Sequence, residues 1–173
     1  EPFWRTYLAG ITAKTPLPAS LRSGPAPATP GRPGVVVRTL DAAATSALAA
    51  LARANRTTLT TLVQAAWALL LSRHACEPDV VFGAVRAGRG RTIPGSNDIV
   101  GLLINTLPLR IRVDEDAPLG AWLQHVRAQW QALRDGEHTP LRAIAAPHPW
   151  AAAGGLFDSV VVYDRGTFYD AVC

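Results

Sequence analysis

Apolar residues return every three or four positions between Leu59 and His74: Leu59, Leu62, Val63, Ala66, Trp67, Leu70 and Leu71. That spacing is the period of an α-helix, and its wide apolar face predicts a central, buried one. Pro78 prevents its continuation. A different rhythm follows. Leu107, Leu109, Ile111 and Val113 alternate with Pro108, Arg110 and Arg112, which predicts a strand with basic residues on its second face. "VVFGAV" (residues 80–85) is a short apolar run suited to a covered strand, and "LFDSVVVY" (156–163) reads as a final strand.

The remaining elements follow from local signals. Glu1–Gly10 predicts a short helix carrying Phe3, Trp4, Tyr7 and Leu8. Lys14–Gly34 holds six prolines and three glycines and reads as an extended connector. Val35–Leu40 is β-branched enough for a strand. Asp41 is the expected N-cap of an alanine-rich helix to about Asn55, with Leu48 and Leu51 inward. Residues 83–98, rich in Gly, Arg and Pro, predict a loop. Pro118 suits the first turn of a helix striped by Leu119, Trp122, Leu123, Val126, Trp130 and Leu133 and ended by Gly136. Residues 137–155 are expected to be irregular. Strand, two helices, two strands, helix and strand make an α/β class: a mixed sheet with helices packed on it.

Composition narrows the picture. At 173 residues, 49% hydrophobic and 17% charged, the chain suits one folded domain with a real core. The longest purely apolar run, Ala65–Leu71, is far below the roughly 20 residues that span a bilayer, so no membrane partner is expected. Neither a signal core nor a disulfide framework is visible; the two cysteines are Cys76 and Cys173, and a cytoplasmic location is the default. There is no methionine, even at position one, which is expected of an excised piece of something longer. The net charge of +4 arises from sixteen arginines and one lysine. Arg86, Arg89 and Arg91 cluster, and Arg110 shares a strand face with Arg112. Such a patch can meet phosphate or nucleic acid. No aromatic residues interleave with it as a nucleic-acid platform requires, so a solvated face is the plainer expectation and no nucleic-acid partner is assigned.

Catalytic patterns are absent. The four histidines, His74, His125, His138 and His148, include no adjacent pair and no metal-ligand spacing, so no metal site is expected. "GAVRAGRG" (83–90) lacks the spacing of a dinucleotide fingerprint or phosphate loop, and Asp114-Glu115-Asp116 reads as a solvated turn.

Other residues carry a family resemblance. "LARANRTTLTTLVQAAWALLLSRHACEPDVVFGAVRAGR" followed by "PGSNDIVGLLINTLPLRIRV" strongly resembles the condensation domains of non-ribosomal peptide synthetases, as do "WRTYLAG", "TPLP" and "EHTPLRAI". The resemblance implies a chloramphenicol-acetyltransferase-like fold, in which two lobes form a tunnel. Carrier-bound aminoacyl and peptidyl thioesters enter it on phosphopantetheine arms and are joined by an amide bond. No cofactor is expected to bind directly. The implied partners are the N-terminal lobe of the same domain, peptidyl carrier domains and an adenylation domain.

The family's paired-histidine motif belongs to the N-terminal lobe, so the resemblance implies no catalytic residue here. It implies an inter-lobe linker over residues 1–34 and an incomplete C-terminal lobe over 35–173. Phe82-Gly83 and Ala87-Gly88-Arg89 match a floor-loop motif, with Ala87 in place of the usual serine. Val100-Gly101-Leu102 and Ile104-Asn105-Thr106 match a tunnel-bordering motif, with Leu103 in place of phenylalanine. The implied tunnel and floor-loop residues are therefore Phe82, Gly83, Arg89, Gly101, Asn105 and Thr106, and Gly101–Thr106 is expected to be a helix-to-strand junction. Purely structural roles stand beside these: close packing or turns for the glycines, backbone capping for Asn105. "VVVYDRGTF" departs from the usual ending, so ordinary donor or acceptor chemistry is not inferred from it. The alternative function is a non-catalytic carrier-docking module of the same fold.

Overall fold

The computed structural model describes residues 2–17, 34–88, 95, 98–152 and 155–164. Its elements are α1 (Pro2–Tyr7), α2 (Ala42–Ala54), α3 (Leu59–Ala75), β1 (Asp79–Arg86), β2 (Asn105–Arg112), α4 (Leu119–Ala132), α5 (Leu141–Ala145) and β3 (Val160–Val161), with 3-10 turns at Leu133–Gly136 and Pro149–Ala151. The expected α/β class holds. The sheet runs β2-β1-β3, with β1 antiparallel to β2 and parallel to β3.

Strand register explains the core. Val80, Phe82 and Ala84 of β1 lie opposite Ile111, Leu109 and Leu107 of β2, and all six are buried. Side chains alternate between sheet faces, so these six share one face. They join Trp4, Leu8, Leu71, Leu123, Val126, Leu133 and Ile144 in one cluster, which at ~25 cal/mol per Å² of apolar surface is the main stabilising term.

The helix starts are local. Asp41 caps α2 by accepting a 2.7 Å hydrogen bond from the Ala44 amide, and Thr58 caps α3 by accepting from the Thr61 amide at 3.2 Å. The helix α3 ends at Cys76 in the left-handed conformation.

Several expectations are corrected. Residues 35–40 form no strand: Val35, Val36 and Val37 are exposed, and among the described residues no strand pairs with them. A β-branched run without a partner edge gains no ladder. Leu48 and Leu51 are exposed rather than inward, and Ala52 is the buried side chain of α2. The helix α3 is turned from its expected orientation. It buries Thr61, Gln64, Ala65, Ala68, Leu71 and Ser72, while Val63 and Leu70 are 42% exposed. Small side chains let a helix approach the sheet closely, and that close approach outweighs presenting the larger apolar ones.

The loop expected from residue 83 begins later, because β1 continues through Arg86. Within the irregular 137–155 segment, Leu141–Ala145 is helical. The final strand shrinks to Val160–Val161. Most of the proline-rich connector lies outside the described residues.

The outer edge of β2 is closed by α1. The Tyr7 hydroxyl accepts from the Arg110 amide at 3.0 Å and donates to the Arg110 carbonyl at 3.4 Å. The Arg110 guanidinium donates to both carboxylate oxygens of Asp79 and to the Tyr7 and Ala9 carbonyls, so it fastens the end of α1 to the sheet. Arg110 is thus no part of a solvated basic face. Its bond to Asp79 raises its pKa, and burial pushes the Tyr7 hydroxyl far above the ordinary phenol range.

Candidate functional site

The motif residues converge where β1 ends and β2 begins. Arg86 is the last residue of β1, Asn105 the first of β2, and the register sets them opposite each other. Both continue the core face of Ala84 and Leu107, one step beyond the last apolar pair. There they meet the turn that follows α4. The Arg86 guanidinium donates to the Glu137 carboxylate at 2.9 Å and to the Trp130 carbonyl at 3.0 Å, and its Cζ lies 4.5 Å from the centroid of a Trp130 ring. The Asn105 amide donates at 2.9 Å to two carbonyls, those of Glu137 and Thr139. Glu137 and Thr139 are buried, and His138 Nε2 stands 3.5 Å from the Glu137 carboxylate. One cross-strand pair therefore ties down residues 137–139 by charge and by amide.

Close backbone packing shapes the same end of the sheet. Gly88, at φ +64°, lies so near the Leu103 carbonyl that an added Cβ would stand 2.0 Å from its oxygen. The two motif segments are held together at that point, and only glycine satisfies both the conformation and the gap. At Gly83 an added Cβ would strike the Phe157 ring at 2.5 Å, while Gly101 has φ +151° and open space around its Cα. Beside this junction lies a cavity of about 300 Å³ lined by Thr60, Gln64, Arg86, Trp130, Glu137 and Tyr163, among others.

Of the expected site residues, Phe82 is fully buried core and Gly83 a packing glycine under Phe157. Gly101 lies in an exposed bend; Asn105 and Thr106 open β2 and are half-buried. Arg89 and Arg91 lie outside the described residues. The segment before Asn105 is irregular rather than helical, so the junction is loop-to-strand. Arg86, expected in a solvated patch, is instead held in a nearly buried ion pair. Glu137 and Gln64 were not singled out from the sequence. For Arg86 and Glu137 a signal existed: Arg86 follows Phe82 and Ala84 at even spacing, which put a cation on the core face and required a buried anion to meet it. Among the described residues no group of His, Cys, Asp and Glu could hold a metal ion, and no helix is long and apolar enough to cross a membrane.

The mixed sheet covered by helices has the chloramphenicol-acetyltransferase-like fold of known condensation-domain structures. A crystal structure called CT superposes with a TM-score of 0.66 at 30% identity, over 95% of this chain and 34% of that one. The first condensation domain of the CDA synthetase superposes at 0.68 and 18% identity, over 92% and 33%, and supports the fold alone. The condensation-domain family model matches residues 1–167, and the chain belongs to that family. Among curated relatives, a linear gramicidin synthase protein of Brevibacillus parabrevis is 39% identical over 169 residues and chondramide synthase cmdD of Chondromyces crocatus 40% over 169 residues. Each alignment covers 95% of this chain, which spans 3% and 4% of those proteins' lengths.

Proposed function

We propose that this chain forms the C-terminal-lobe part of a non-ribosomal peptide synthetase condensation domain, contributing a tunnel wall and floor loop to amide-bond formation between carrier-bound thioesters. The observation that carries the reading is the junction of the two motif segments. Gly88 against Leu103, and Arg86 with Asn105 on Glu137, hold the floor-loop motif and the Ile104-Asn105-Thr106 motif side by side at one end of the sheet. In this reading residues 1–34 are the inter-lobe linker, and Asn105 is a positioning residue that fixes the tunnel-side backbone. Arg89, next after Gly88, reaches acidic groups of the other lobe, for which a planar guanidinium is suited. The general base comes from the N-terminal lobe's paired histidines. The substrates arrive on phosphopantetheine arms of carrier domains, in a synthetase that also holds an adenylation domain. The exposed free thiol of Cys76 fits a reducing cytoplasm.

The test compares this chain alone with the same chain continuous with a preceding lobe, each given donor and acceptor thioesters on carrier domains. Product is expected only from the continuous protein. Arg89→Ala and Asn105→Ala should each lower its rate at least about tenfold, the equivalent of ~1.4 kcal/mol at the transition state. Turnover by the chain alone would refute the reading. An unaltered rate in both variants would favour a carrier-docking module instead.

A further inference from the structure

We infer that the cavity where α3 ends and β1 begins is a modification site, at which the Cys76 thiol exchanges with a small disulfide whose halves are zwitterionic. The inference stands independently of the condensation reading. The cavity lies at the Asp79–Arg112 end of the β1–β2 ladder, about 23 Å along the strands from the Arg86–Asn105 junction. It measures about 900 Å³, within the range of sites for small organic molecules, and is lined by Ser72, Cys76, Glu77, Arg112 and Asp114, among others. Cys76 is exposed, and its thiol makes one long contact, 3.8 Å, to the Arg73 carbonyl. It is the C-cap of α3 at φ +55°, a left-handed position that favours glycine, so the fold gains nothing from a side chain there. Ser72, one turn earlier, is only 9% exposed. Among the described residues its hydroxyl has no hydrogen-bond partner, yet its oxygen is not sealed as those of Thr57 and Gln64 are. A nearly buried hydroxyl that lines a cavity and bonds nothing in the protein is left to bond a ligand.

The wall charges select the disulfide. Both signs are present and unpaired: among the described residues Arg112, Glu77 and Asp114 form no ion pair. Arg73 reaches Glu115 only at 3.9 Å, with both side chains well exposed. A ligand carboxylate gains the Arg112 guanidinium. An α-ammonium gains Glu77, or the Asp114 oxygen that does not already accept from the Asp116 amide. An anionic disulfide would set its carboxylates against those of the wall, and a cationic one would leave Arg112 unanswered. The exchange needs no further reactant. Cys76 gives its proton to water, Sγ attacks one sulfur of the disulfide, and a new S–S bond forms as the old one breaks. The Cys76 sulfur is oxidised; the departing half is reduced, leaving as a thiolate that takes up a proton.

The experiment exposes the full chain to three disulfides: cystine (zwitterionic halves), cystamine (cationic) and 3,3′-dithiodipropionate (anionic). Intact mass and peptide mapping follow the rate at Cys76. Each rate is divided by that of the same disulfide with N-acetylcysteine, which removes intrinsic reactivity. The normalised rate is expected to be at least about tenfold higher for cystine than for either other probe. Arg112→Gln and Ser72→Ala should each reduce that preference at least about threefold. Cys76→Gly, which suits the left-handed cap, should melt no lower than wild type and lose the fast reaction. Equal normalised rates for the three probes, a preference for a singly charged one, or no modification of Cys76 would overturn the assignment, and each is read in the wild-type protein. An unchanged preference in either the Arg112 or the Ser72 variant would overturn it too.

Discussion

Arg86 and Asn105 face each other across the β1–β2 pair, and both bind Glu137, the first through its carboxylate and the second through its carbonyl. Two strands and the turn after α4 thus share one polar fastening at the edge of an otherwise apolar face. The side chains of Arg86 and Glu137 are 13% and 5% exposed, so each ion depends on the other for its stability.

Glu137→Ala is therefore expected to destabilise the fold by about 3–5 kcal/mol, as breaking a buried pair leaves an uncompensated charge. Asn105→Ala orphans two carbonyl contacts and should cost about 1–3 kcal/mol. Urea denaturation of both single variants and the double variant checks this. Strictly additive losses would show that the two contacts are not one unit.

Two glycines separate conformation from packing. Gly10 has φ +82° with nothing within 4 Å of an added Cβ, so Gly10→Ala should cost only the left-handed backbone term, about 1–2 kcal/mol. Gly88→Ala incurs that term and also drives a methyl into the Leu103 carbonyl, so its loss should be clearly larger. Equal shifts in the denaturation midpoint would contradict the close approach of the two motif segments.

Tyr7 confers an alkaline pH dependence. Burial raises the pKa of its hydroxyl well above the ordinary value of 10.0, so the phenolate is disfavoured in the folded state and the unfolded chain releases the proton first. The stabilisation is complete below about pH 10 and is lost as pH rises above it, by up to ~1.4 kcal/mol per pH unit. Tyr7→Phe lacks the two hydrogen bonds to Arg110 and should be less stable at pH 8, yet its stability should fall less between pH 10 and 11. A constant wild-type advantage across that range would show that Tyr7 does not titrate this way.

Val63, Ala66 and Leu70 form an exposed apolar stripe along α3. Such a stripe drives association when nothing covers it. The chain alone should self-associate in size-exclusion chromatography with light scattering, and Val63→Ser with Leu70→Ser should shift it toward monomer with little change in melting temperature. A monodisperse wild-type monomer would refute this.

The motif segments were legible in the sequence as "VVFGAVRAGR" and "VGLLINTLPLR", and so were the strands that carry them. The helix caps at Asp41 and Thr58 and the alternation of β2 have local causes, and local causes are visible in a linear pattern. The orientation of α3 was not. Its sequence is apolar almost all round, so periodicity could not choose between the stripe of Val63 and Leu70 and the small-residue stripe of Ala65 and Ala68. Val35–Leu40 misled for a related reason: β propensity describes a residue's fit to a sheet without showing that an edge is available.

By itself, then, the sequence determined the family, the main helices and strands, and the glycines at which the motif segments turn or pack. The tertiary structure alone decided that Arg86 is a buried partner of Glu137 rather than a surface cation, and that Asn105 holds the 137–139 turn. The physical reason is distance along the chain. Glu137 lies 51 residues from Arg86 and 32 from Asn105, and only the strand register and the packing of α4 on the sheet bring the three together.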